Sequence, residues 1–536
     1  MFSETQQEDS TDVVIIGAGY AGLCMLHRVR QIGLSVRVYE RAPDVGGTWY
    51  WNRYPGARCD VESLDYQFAF SDELQRGWRW KERFAEQKEI LAYLNYVTES
   101  LKLRPYIQLD TAVTNATYCE EERGWNIVTQ KGDKIRATFC VSAVGCLSTP
   151  RIPDIKGLSR YQGRWIHTGE WPGEEINFAK KNVGVIGTGS SGIQIIPVLA
   201  QEAKSLTVFQ RTPNFSIPAK NQSHSDAYIN EYHDSFLEKR KAASTTVYGN
   251  VTWSSYPSAL DVSDEERNKI YERYWEEGGA GFMVSFADVL TDIRSNNYAA
   301  EFVRSKISEM VRDKDLAKVL QPRDHPLGTK RICVDTDYYD TYNRNNVRLV
   351  DVKNAPIKEI TKNGVRTEKE IYEVDMLIFA TGFDAMTGTL LNIDIRGRDG
   401  IKLSSKWRAG PLTYLGLTVS GFPNFFIITG PGSPSVLSNM VLSIEQHVDW
   451  IGNCMSDLKK RGAKSIEARV NAENSWVEHV IDVADRTLYT QCESWYKGAN
   501  IPGEPRVFMP YVGGIGYYKE QCDNVANSGY KGFKIS

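Results

Sequence analysis

The chain contains two segments of one pattern, VVIIGAGYAG at residues 13–22 and VGVIGTGSSG at residues 183–192. In each segment a run of apolar residues typical of a buried parallel strand leads into a G-x-G-x-x-G turn, and a helix-like stretch follows. One such turn is weak evidence because chance matches are common, but two that both join a strand to a helix are much rarer. The repeat predicts an α/β protein with two Rossmann-like dinucleotide-binding domains.

The glycines have separate tasks in a turn of this kind. The first forms the tight turn, the second lets the backbone approach a pyrophosphate, and the third allows the helix to pack closely. The phosphate then lies at the helix N-terminus. We therefore predict cofactor contacts at Gly17, Gly19, Ala21 and Gly22 in the first turn and at Gly187, Thr188, Gly189, Ser190, Ser191 and Gly192 in the second.

The residue that ends the following strand indicates which dinucleotide is bound. Glu40 lies 21 positions after Gly19 and is placed to accept hydrogen bonds from ribose hydroxyls, which suits FAD or NAD. The same count in the second unit reaches Gln210, and Arg211 and Thr212 follow. Because a carboxylate is missing where the extra phosphate of NADPH would lie, the second unit favours NADPH. The alternative is that Arg211 is a solvated surface charge.

Bulk properties exclude several kinds of partner. The 536 residues carry a net charge of −3 without a basic block, so they offer no electrostatic footprint for nucleic acid or an anionic membrane. No apolar run approaches the roughly 20 residues of a membrane span, and the polar start at residues 1–12 lacks the features of a signal peptide. The nine cysteines are odd in number and form no CxxC, and HExxH is absent, which predicts reduced thiols, a cytoplasmic location and no metal.

The remaining sequence shows coarser features. Residues 225–330 contain helical signals, including a capping box from Ser263 to Glu266, and the apolar helix face before Pro322 consists of Phe302, Val303, Ile307, Met310 and Val311. The apolar strand at Met376–Ala380 is expected to close the second nucleotide domain. In the tail we expect a strand at 425–429 and a helix at 441–458, which pack back onto the first domain.

A fingerprint lies just before the second glycine turn. The segment YQGRWIHTGEWP at residues 161–172 resembles the FxGxxxHxxxWP motif of type I Baeyer–Villiger monooxygenases, with Tyr161 in place of phenylalanine. A second family signature is complete as GGTW at 46–49, YPG at 54–56 and Asp60. The ending Trp171-Pro172 distinguishes the chain from related flavin monooxygenases that oxidise nitrogen and sulfur.

The resemblance implies the cofactors FAD and NADPH and a reaction with molecular oxygen. In this family a flavin C4a-peroxide attacks a ketone and yields an ester or lactone, and sulfoxidation is a common side activity. Such chemistry needs a fixed cation and preorganised donors. Arg331 matches the family's flavin-facing arginine, and Asp60 matches the carboxylate that orients it; together they are the predicted catalytic residues. Without the family match, the alternative is that Arg331 forms a salt bridge at an interdomain surface.

Further site residues follow from the same resemblance. The predicted FAD contacts, beyond the first turn, are Glu40, Gly47, Thr48, Trp49, Asp60, Tyr66, Val113 and Met440. The predicted NADP contacts, beyond the second turn, are Arg58, Gln194, Arg211, Thr212, Lys330, Arg331 and Trp495, although Trp495 alone would suggest buried core. The predicted substrate pocket is formed by Ser435, Val436, Leu437 and Met440. We assign His167 and Trp171 structural or conformational roles.

The domain boundaries expected from these features divide the chain into five parts. Residues 1–147 and 384–536 form the two parts of the FAD-binding domain, 148–220 and 329–383 form the NADP-binding domain, and 221–328 form a helical insertion. We expect a monomer or weak oligomer.

Alternatives from other classes stay open at this stage. A flavin disulfide reductase shares the architecture but needs a paired dithiol, and Cys59 has no CxxC or CxxxxC partner. A nitrogen or sulfur monooxygenase is the closest enzymatic alternative, and a flavoprotein that binds its cofactors without catalysis is the alternative of another class. Whether the ketone is aliphatic, aryl or polycyclic is left open.

Overall fold

The computed structural model describes residues 9–252 and 255–536, so most of the N-terminal segment used in the export prediction lies outside the described residues. The strands are β1 (Asp9–Ile16), β2 (Val36–Tyr39), β3 (Ile107–Gln108), β4 (Val113–Cys119), β5 (Gly124–Thr129), β6 (Lys134–Ser142), β7 (Arg164–His167), β8 (Asn182–Ile186), β9 (Ser205–Gln210), β10 (Ser216–Pro218), β11 (Cys333–Asp335), β12 (Val347–Asp351), β13 (Ile357–Thr361), β14 (Gly364–Thr367), β15 (Ile371–Glu373), β16 (Met376–Phe379), β17 (Asp394–Arg396), β18 (Phe425–Ile427), β19 (Ile466–Ala468) and β20 (Phe533–Ile535).

The α-helices lie between these strands and in the long insertion. They are α1 (Tyr20–Gln31), α2 (Thr48–Trp51), α3 (Asp72–Arg76), α4 (Gln87–Ser100), α5 (Ser190–Glu202), α6 (Asp226–Ala243), α7 (Asp264–Glu277), α8 (Ile293–Met310), α9 (Lys314–Leu320), α10 (Tyr338–Thr341), α11 (Gly388–Leu391), α12 (Leu403–Lys406), α13 (Met440–Arg461), α14 (Val470–Asp485) and α15 (Ile515–Asn527).

The first glycine turn belongs to a mixed sheet of order β17-β4-β5-β6-β1-β2-β3. The segment β6-β1-β2-β3 is parallel, while β4, β5 and β6 pair antiparallel. Strand β6 pairs with β1 along one edge. On its other edge, its first half pairs with β5, and its last three residues pair parallel with β18 of the C-terminal tail. Val13, Val14 and Ile15 in the centre of the sheet are fully buried, as the continuous apolar run predicts.

The second glycine turn belongs to a parallel sheet of order β12-β9-β8-β16-β7. Strand β16 lies between β8 and β7, so the apolar segment predicted to close this sheet is one of its inner strands. All four residues of β16 are buried. The fold-class prediction of two Rossmann-like domains is confirmed.

The helices α6 to α9 of the predicted insertion lie between β10 and β11 in the chain, within the run of strands that forms the second sheet. Ser263 is the N-cap of helix α7, and its hydroxyl accepts a hydrogen bond from the backbone N–H of Glu266, which confirms the serine half of the capping-box prediction. Helix α8 buries Phe302, Val303 and Ile307 along the predicted apolar face. These side chains share a core with the second sheet.

The tail returns to the first sheet through α13 as well as β18. The helix runs from Met440 to Arg461 and lies against α1, where Arg28 donates a hydrogen bond from Nη2 to Asn453 Oδ1 at 2.6 Å. Both predicted tail elements exist, but the strand is two residues shorter and the helix four residues longer than the sequence indicated. Helix ends depend on capping contacts: Asn439 accepts hydrogen bonds from Val441 and Leu442, which lets the helix begin at Met440.

Candidate functional site

A cavity of about 740 Å³ lies between the two nucleotide-binding units. Its wall includes most of the predicted FAD contacts: Gly17, Gly19, Ala21, Glu40, Gly47, Thr48, Trp49, Asp60, Tyr66, Val113 and Met440. It also includes part of the predicted NADP set: Arg58, Ser190, Ser191, Gln194, Arg331 and Trp495. The predicted residues outside its wall are Gly22, Gly187, Thr188, Gly189, Gly192, Arg211, Thr212, Lys330, Ser435 and Leu437.

The first glycine turn is packed too tightly for side chains. Gly17 has φ of +105°, a conformation that other residues rarely adopt, and a Cβ there would lie 2.6 Å from the carbonyl oxygen of Ala143. A Cβ on Gly22 would lie 1.8 Å from the carbonyl oxygen of Gly17. The third glycine therefore lets α1 pack against the turn and has no need to face the cavity.

Glu40 follows β2 at the rim of the cavity and is buried. Its carboxylate accepts backbone hydrogen bonds from Ala18 at 2.7 Å and from Ala42 at 2.8 Å. Burial raises the pKa of Glu40, and these backbone donors oppose the rise. Each carboxylate oxygen keeps acceptor capacity beyond its one backbone bond, so the residue can still receive ribose hydroxyls.

Two aromatic side chains stand together on the wall of the same cavity. Trp49 Nε1 donates a hydrogen bond to the Tyr66 hydroxyl at 3.3 Å, and their rings meet edge to face. The carbonyl oxygen of Tyr66 accepts a hydrogen bond from the Tyr20 hydroxyl at the start of α1. Tyr66 is thus tied to the first nucleotide-binding unit at both ends of the residue.

The second glycine turn repeats the packing with one difference. A Cβ on Gly192 would lie 2.3 Å from the carbonyl oxygen of Gly187, whereas a Cβ on Gly189 would meet no atom within 4 Å. Open space at the second glycine suits the close approach of a pyrophosphate to the backbone. The turn therefore fits a dinucleotide.

The residues expected around the extra phosphate of NADPH lie apart from the cavity wall. Gln210 is buried, and its amide nitrogen donates to the carbonyl oxygen of Val319 at 2.9 Å. Arg211 is exposed and forms no hydrogen bond or ion pair with any other residue that the structure describes. Lys330 Nζ donates to the carbonyl oxygen of Glu493. Arg211 is therefore available to a ligand, while Lys330 is held by the loop that carries Trp495.

Arg331 and Asp60 form a bidentate pair. Nε and Nη2 of the guanidinium donate to the two carboxylate oxygens at 2.7 and 2.8 Å, and Nη1 donates to the carbonyl oxygen of Val436 at 2.7 Å. Burial would raise the pKa of Asp60, but the charge and hydrogen bonds of Arg331 outweigh it and hold the pKa below its ordinary value. Likewise, burial would lower the pKa of Arg331, and Asp60 raises it instead. Both groups stay charged at any working pH.

A second, smaller cavity of about 60 Å³ lies on the other side of this pair. Asp60, Arg331 and Val436 line both cavities, and Leu437 lines only the smaller one. The helical insertion and the tail contribute Tyr248, Asn250, Ala280, Met283, Gly328, Tyr489 and Tyr496 to the wall of the smaller cavity, which Val61, Ile332, Ser438 and Asn439 also line. Ser435 lines neither cavity, because its hydroxyl donates to the carbonyl oxygen of Thr429 at 3.3 Å.

The two nucleotide-binding units meet at Gln194 of α5. Its Oε1 accepts hydrogen bonds from the Tyr54 hydroxyl at 2.7 Å and from the Arg58 backbone at 3.4 Å, and its Nε2 donates to the Arg58 carbonyl oxygen at 3.1 Å. The Arg58 guanidinium is occupied by Glu82 and Glu86. Arg58 therefore reaches the cavity already paired with two carboxylates.

Comparisons with known proteins match this architecture over nearly the whole chain. A Baeyer–Villiger monooxygenase of Pseudooceanicola batsensis is 42% identical over 523 residues, which cover 97% of this chain and 95% of that protein. The chain belongs to the Baeyer–Villiger monooxygenases. The solved structure of an oxidised steroid monooxygenase bound to NADP is 49% identical, with a TM-score of 0.93 over 98% of this chain and 99% of that one. The cofactors of this Baeyer–Villiger monooxygenase are FAD and NADPH, as the sequence predicts.

Two further comparisons bear on the alternative classes. Residues 14–273 match the family model described as pyridine nucleotide-disulphide oxidoreductase. All nine cysteines are free thiols in this Baeyer–Villiger monooxygenase, and Cys59 beside Asp60 is buried. A phenazine N-monooxygenase of Lysobacter antibioticus is 40% identical over 97% of this chain and 96% of its own.

The fingerprint of this Baeyer–Villiger monooxygenase packs at the edge of the second sheet. His167 ends β7; its Nδ1 accepts a hydrogen bond from the backbone of Gly169 at 3.0 Å, and burial lowers its pKa to about 4. A histidine that stays neutral at working pH and binds backbone fits a structural role. The Tyr161 hydroxyl donates to the carbonyl oxygen of Val374 at 2.9 Å, just before β16. The departure from phenylalanine thus adds an anchor within the second nucleotide-binding unit.

Several wall residues of this Baeyer–Villiger monooxygenase carry no motif signal. Cys146 and Thr429 line the large cavity, and Tyr248, Met283 and Tyr489 line the small one. They come from distant segments that only folding brings together, so sequence spacing offered no way to find them.

No helix in the described ranges has both the length and the apolar character of a membrane span, and no cluster of His, Cys, Asp and Glu there is arranged to hold a metal ion.

Proposed function

We propose that this Baeyer–Villiger monooxygenase oxidises ketones to esters or lactones at the junction between its two cavities. The observation that carries the proposal is the position of Arg331, which Asp60 and the Val436 carbonyl hold on the wall shared by both spaces. FAD and NADPH, when bound, supply the reducing equivalents that activate O₂. The protein contributes a permanent cation where negative charge develops on oxygen.

The residues that line the two cavities indicate which cavity holds the cofactors and which receives the ketone. The large cavity holds FAD and part of NADP, and its volume lies within the range of small-molecule sites. The small cavity receives the ketone beside Arg331, with Val436 and Leu437 on its wall. Met440 serves the flavin side, because it lines only the large cavity. Ser435 supports this segment from behind without touching the substrate.

Asp60 acts as a positioning residue in this proposal. Its two oxygens fix the plane of the guanidinium, so the N–H groups of Arg331 that remain unpaired point in one direction. A lysine would keep the charge but lose this bidentate orientation. The pair therefore supplies direction as well as charge.

The NADP-binding role rests on Gly189 and Arg211. The open space at Gly189 accepts a pyrophosphate, and the unpaired Arg211 guanidinium after β9 suits the extra phosphate. Lys330 joins them by turning from its bond with the Glu493 carbonyl. We also propose that the protein is cytoplasmic and is a monomer or weak oligomer. Light scattering during gel filtration would test the oligomeric state.

One observation favours a second candidate function. The 40% identity to a phenazine N-monooxygenase supports oxidation of an aromatic nitrogen as this second candidate. Sulfoxidation of thioethers would use the same activated oxygen. Both are proposed as side activities at most, because the Trp171-Pro172 end of the fingerprint and the likeness to the Baeyer–Villiger monooxygenase of Pseudooceanicola batsensis favour ketones.

The deciding experiment supplies NADPH and ¹⁸O₂ to the holoenzyme with matched panels of ketones, thioethers and N-heteroaromatics. We expect esters or lactones that carry one labelled oxygen, formed in proportion to the NADPH consumed. Labelled N-oxides or sulfoxides without any ester would replace ketone oxidation by the second candidate. Hydrogen peroxide as the sole product on every panel would contradict a monooxygenase.

A further inference from the structure

The helical insertion lines one of the two cavities and not the other. It supplies Tyr248, Asn250, Ala280, Met283 and Gly328 to the small cavity, but no residue between 221 and 328 lines the large one. A ketone in the small cavity reacts only if it lies at a fixed distance from the flavin in the large cavity. Some contact must therefore hold the insertion in register with the flavin side.

Asp65 is the point at which the three relevant segments meet. Its carbonyl oxygen accepts hydrogen bonds from Arg240 Nη1 at 3.1 Å and from Asn439 Nδ2 at 2.9 Å. Its carboxylate accepts from the Tyr232 hydroxyl and from Asn250 Nδ2. Tyr232 and Arg240 belong to α6 of the insertion, and Asn250 follows that helix. Asp65 itself lines neither cavity.

The neighbours of Asp65 and Asn439 are walls of the large cavity. Tyr66 follows Asp65 directly, and Met440 follows Asn439 as the first residue of α13. The side-chain oxygen of Asn439 caps that helix while its nitrogen binds Asp65. One set of hydrogen bonds thus fixes two flavin-side walls relative to the insertion.

Arg240 of α6 also forms a buried ion pair with Glu445 of α13. Its Nη2 donates to Glu445 Oε2 of α13 at 2.6 Å, and the two side chains are only 8% and 13% exposed. The other oxygen of Glu445 accepts a hydrogen bond from the backbone of Ala69, on the segment after Tyr66. Buried pairs are weak evidence for stability, since apolar replacements of both partners are often neutral. They are better suited to fixing geometry.

We propose that Arg240 is a positioning residue that keeps the ketone cavity in register with the flavin cavity, acting through Asp65 and Glu445. This inference rests on the proposed ketone oxidation. When the register is lost, NADPH and O₂ are still consumed, but the two electrons from NADPH reduce O₂ to hydrogen peroxide, which is released without oxidation of the ketone. The signature is uncoupling, not loss of cofactor.

The test compares the double variant Arg240→Met/Glu445→Leu with the control Arg267→Met. Both remove a buried arginine of the insertion, but Arg267 binds Ala259, Val262 and Asp264 and stacks on the ring of Tyr298, all within the insertion. The double variant removes both charges of the ion pair together, so its fold and FAD content should survive. We expect ester formed per NADPH to fall about threefold or more, because small misplacements at a reacting centre have large effects.

Two further measurements keep the outcomes distinct. The absorption and fluorescence of the bound flavin, recorded without ketone, should change in the double variant and stay as in the wild type for Arg267→Met. Tyr232→Phe, which removes one bond to Asp65, should uncouple less strongly and covers the case in which the double variant does not fold. Coupling and flavin spectra equal to those of the control in both variants would overturn the proposal. If the wild type forms no ester, the proposed function fails, while the flavin spectra still decide whether Arg240 positions the cavity walls.

Discussion

At the scale of single residues, the site depends on groups whose charge is fixed by a neighbour or by burial. Asp60 and Arg331 hold one another in the charged state, and burial keeps His167 neutral. Proton transfer by protein side chains is therefore a minor part of this site. Its residues act through permanent charge and through position.

The first prediction concerns Arg331. Arg331→Ala should keep anaerobic flavin reduction by saturating NADPH within a few-fold while ester formation falls about 100-fold or more, because a fixed cation is lost where oxygen becomes negative. Stopped-flow absorbance and product analysis measure the two steps separately. Arg331→Lys is the control for charge without bidentate geometry. Normal ester yield in the alanine variant would remove Arg331 from the mechanism.

The second prediction concerns Arg211. Its exposed guanidinium has no partner among the described residues, so Arg211→Ala should leave the thermal midpoint unchanged. The KM for NADPH should rise about tenfold, equivalent to about 1.4 kcal/mol of lost phosphate binding, and the KM for NADH should stay constant. Steady-state kinetics with both coenzymes check this. Equal losses for the two coenzymes would argue against phosphate recognition.

The third prediction concerns His447 and pH. Its Nδ1 accepts a hydrogen bond from the backbone of Thr429 at 2.9 Å, and burial lowers its pKa from the ordinary 6.5 to about 3. Above pH 6.5 both native and unfolded chains are neutral there. As the pH falls below 6.5, the unfolded chain binds a proton that the native state excludes, so this residue lowers the free energy of unfolding by about 1.4 kcal/mol per pH unit.

The replacement His447→Asn isolates this contribution. Its amide oxygen can still accept the Thr429 hydrogen bond, but it does not titrate. Urea unfolding between about pH 6.5 and pH 4.5 should show a shallower loss of stability in the variant than in the wild type. Identical pH dependence would mean that His447 is protonated in the native state.

At the scale of elements, the strand–turn–helix unit is specified by its glycines, and the three positions are not equivalent. In the second unit, Gly187 and Gly192 are excluded from carrying side chains by backbone atoms, whereas Gly189 faces open space. Gly187 and Gly192 therefore serve the fold, and Gly189 serves the ligand. The same sequence motif combines both tasks.

The fourth prediction separates these tasks. Gly192→Ala places a Cβ 2.3 Å from the Gly187 carbonyl oxygen, so we expect a loss of about 1–3 kcal/mol in stability or failure to fold. Gly189→Ala should fold normally but bind NADPH about tenfold more weakly, because the methyl group fills the approach to the pyrophosphate. Thermal unfolding and coenzyme titration distinguish them. Equal stability in the two variants would contradict the packing argument.

At the scale of the whole molecule, function depends on how the two nucleotide-binding units are set against each other. The side chain of Gln194 makes three hydrogen bonds across this junction. The coenzyme must deliver hydride across the same boundary. Small changes in domain placement should therefore affect reduction before they affect cofactor content.

The fifth prediction tests that junction. Gln194→Ala removes three hydrogen bonds, each contributing about 1 kcal/mol, and should slow flavin reduction by NADPH while FAD content stays unchanged. Tyr54→Phe removes one of the three and should produce a smaller effect. Rapid anaerobic mixing measures the reduction rate. A full reduction rate in Gln194→Ala would show that the junction is held by other contacts.

Local pattern was sufficient for the features that depend on neighbours in the chain. The two glycine turns, the capping box at Ser263 and the apolar strand at β16 were all predicted because their causes are backbone sterics, helix-end hydrogen bonding and burial. Family and cofactors followed from motifs of the same local kind. The ends of β18 and α13 differed from the prediction, because pairing with β6 sets the strand and the Asn439 cap sets the start of the helix.

Tertiary structure alone decided what surrounds the reacting centre. The bidentate bond between Asp60 and Arg331 joins residues 271 positions apart, and the bonds from α6 and Asn439 to Asp65 span comparable separations. The side chain of Ser435 points away from both cavities, although its sequence position suggested the pocket. Such facts depend on long-range packing, and no local periodicity encodes which distant side chains will share a wall.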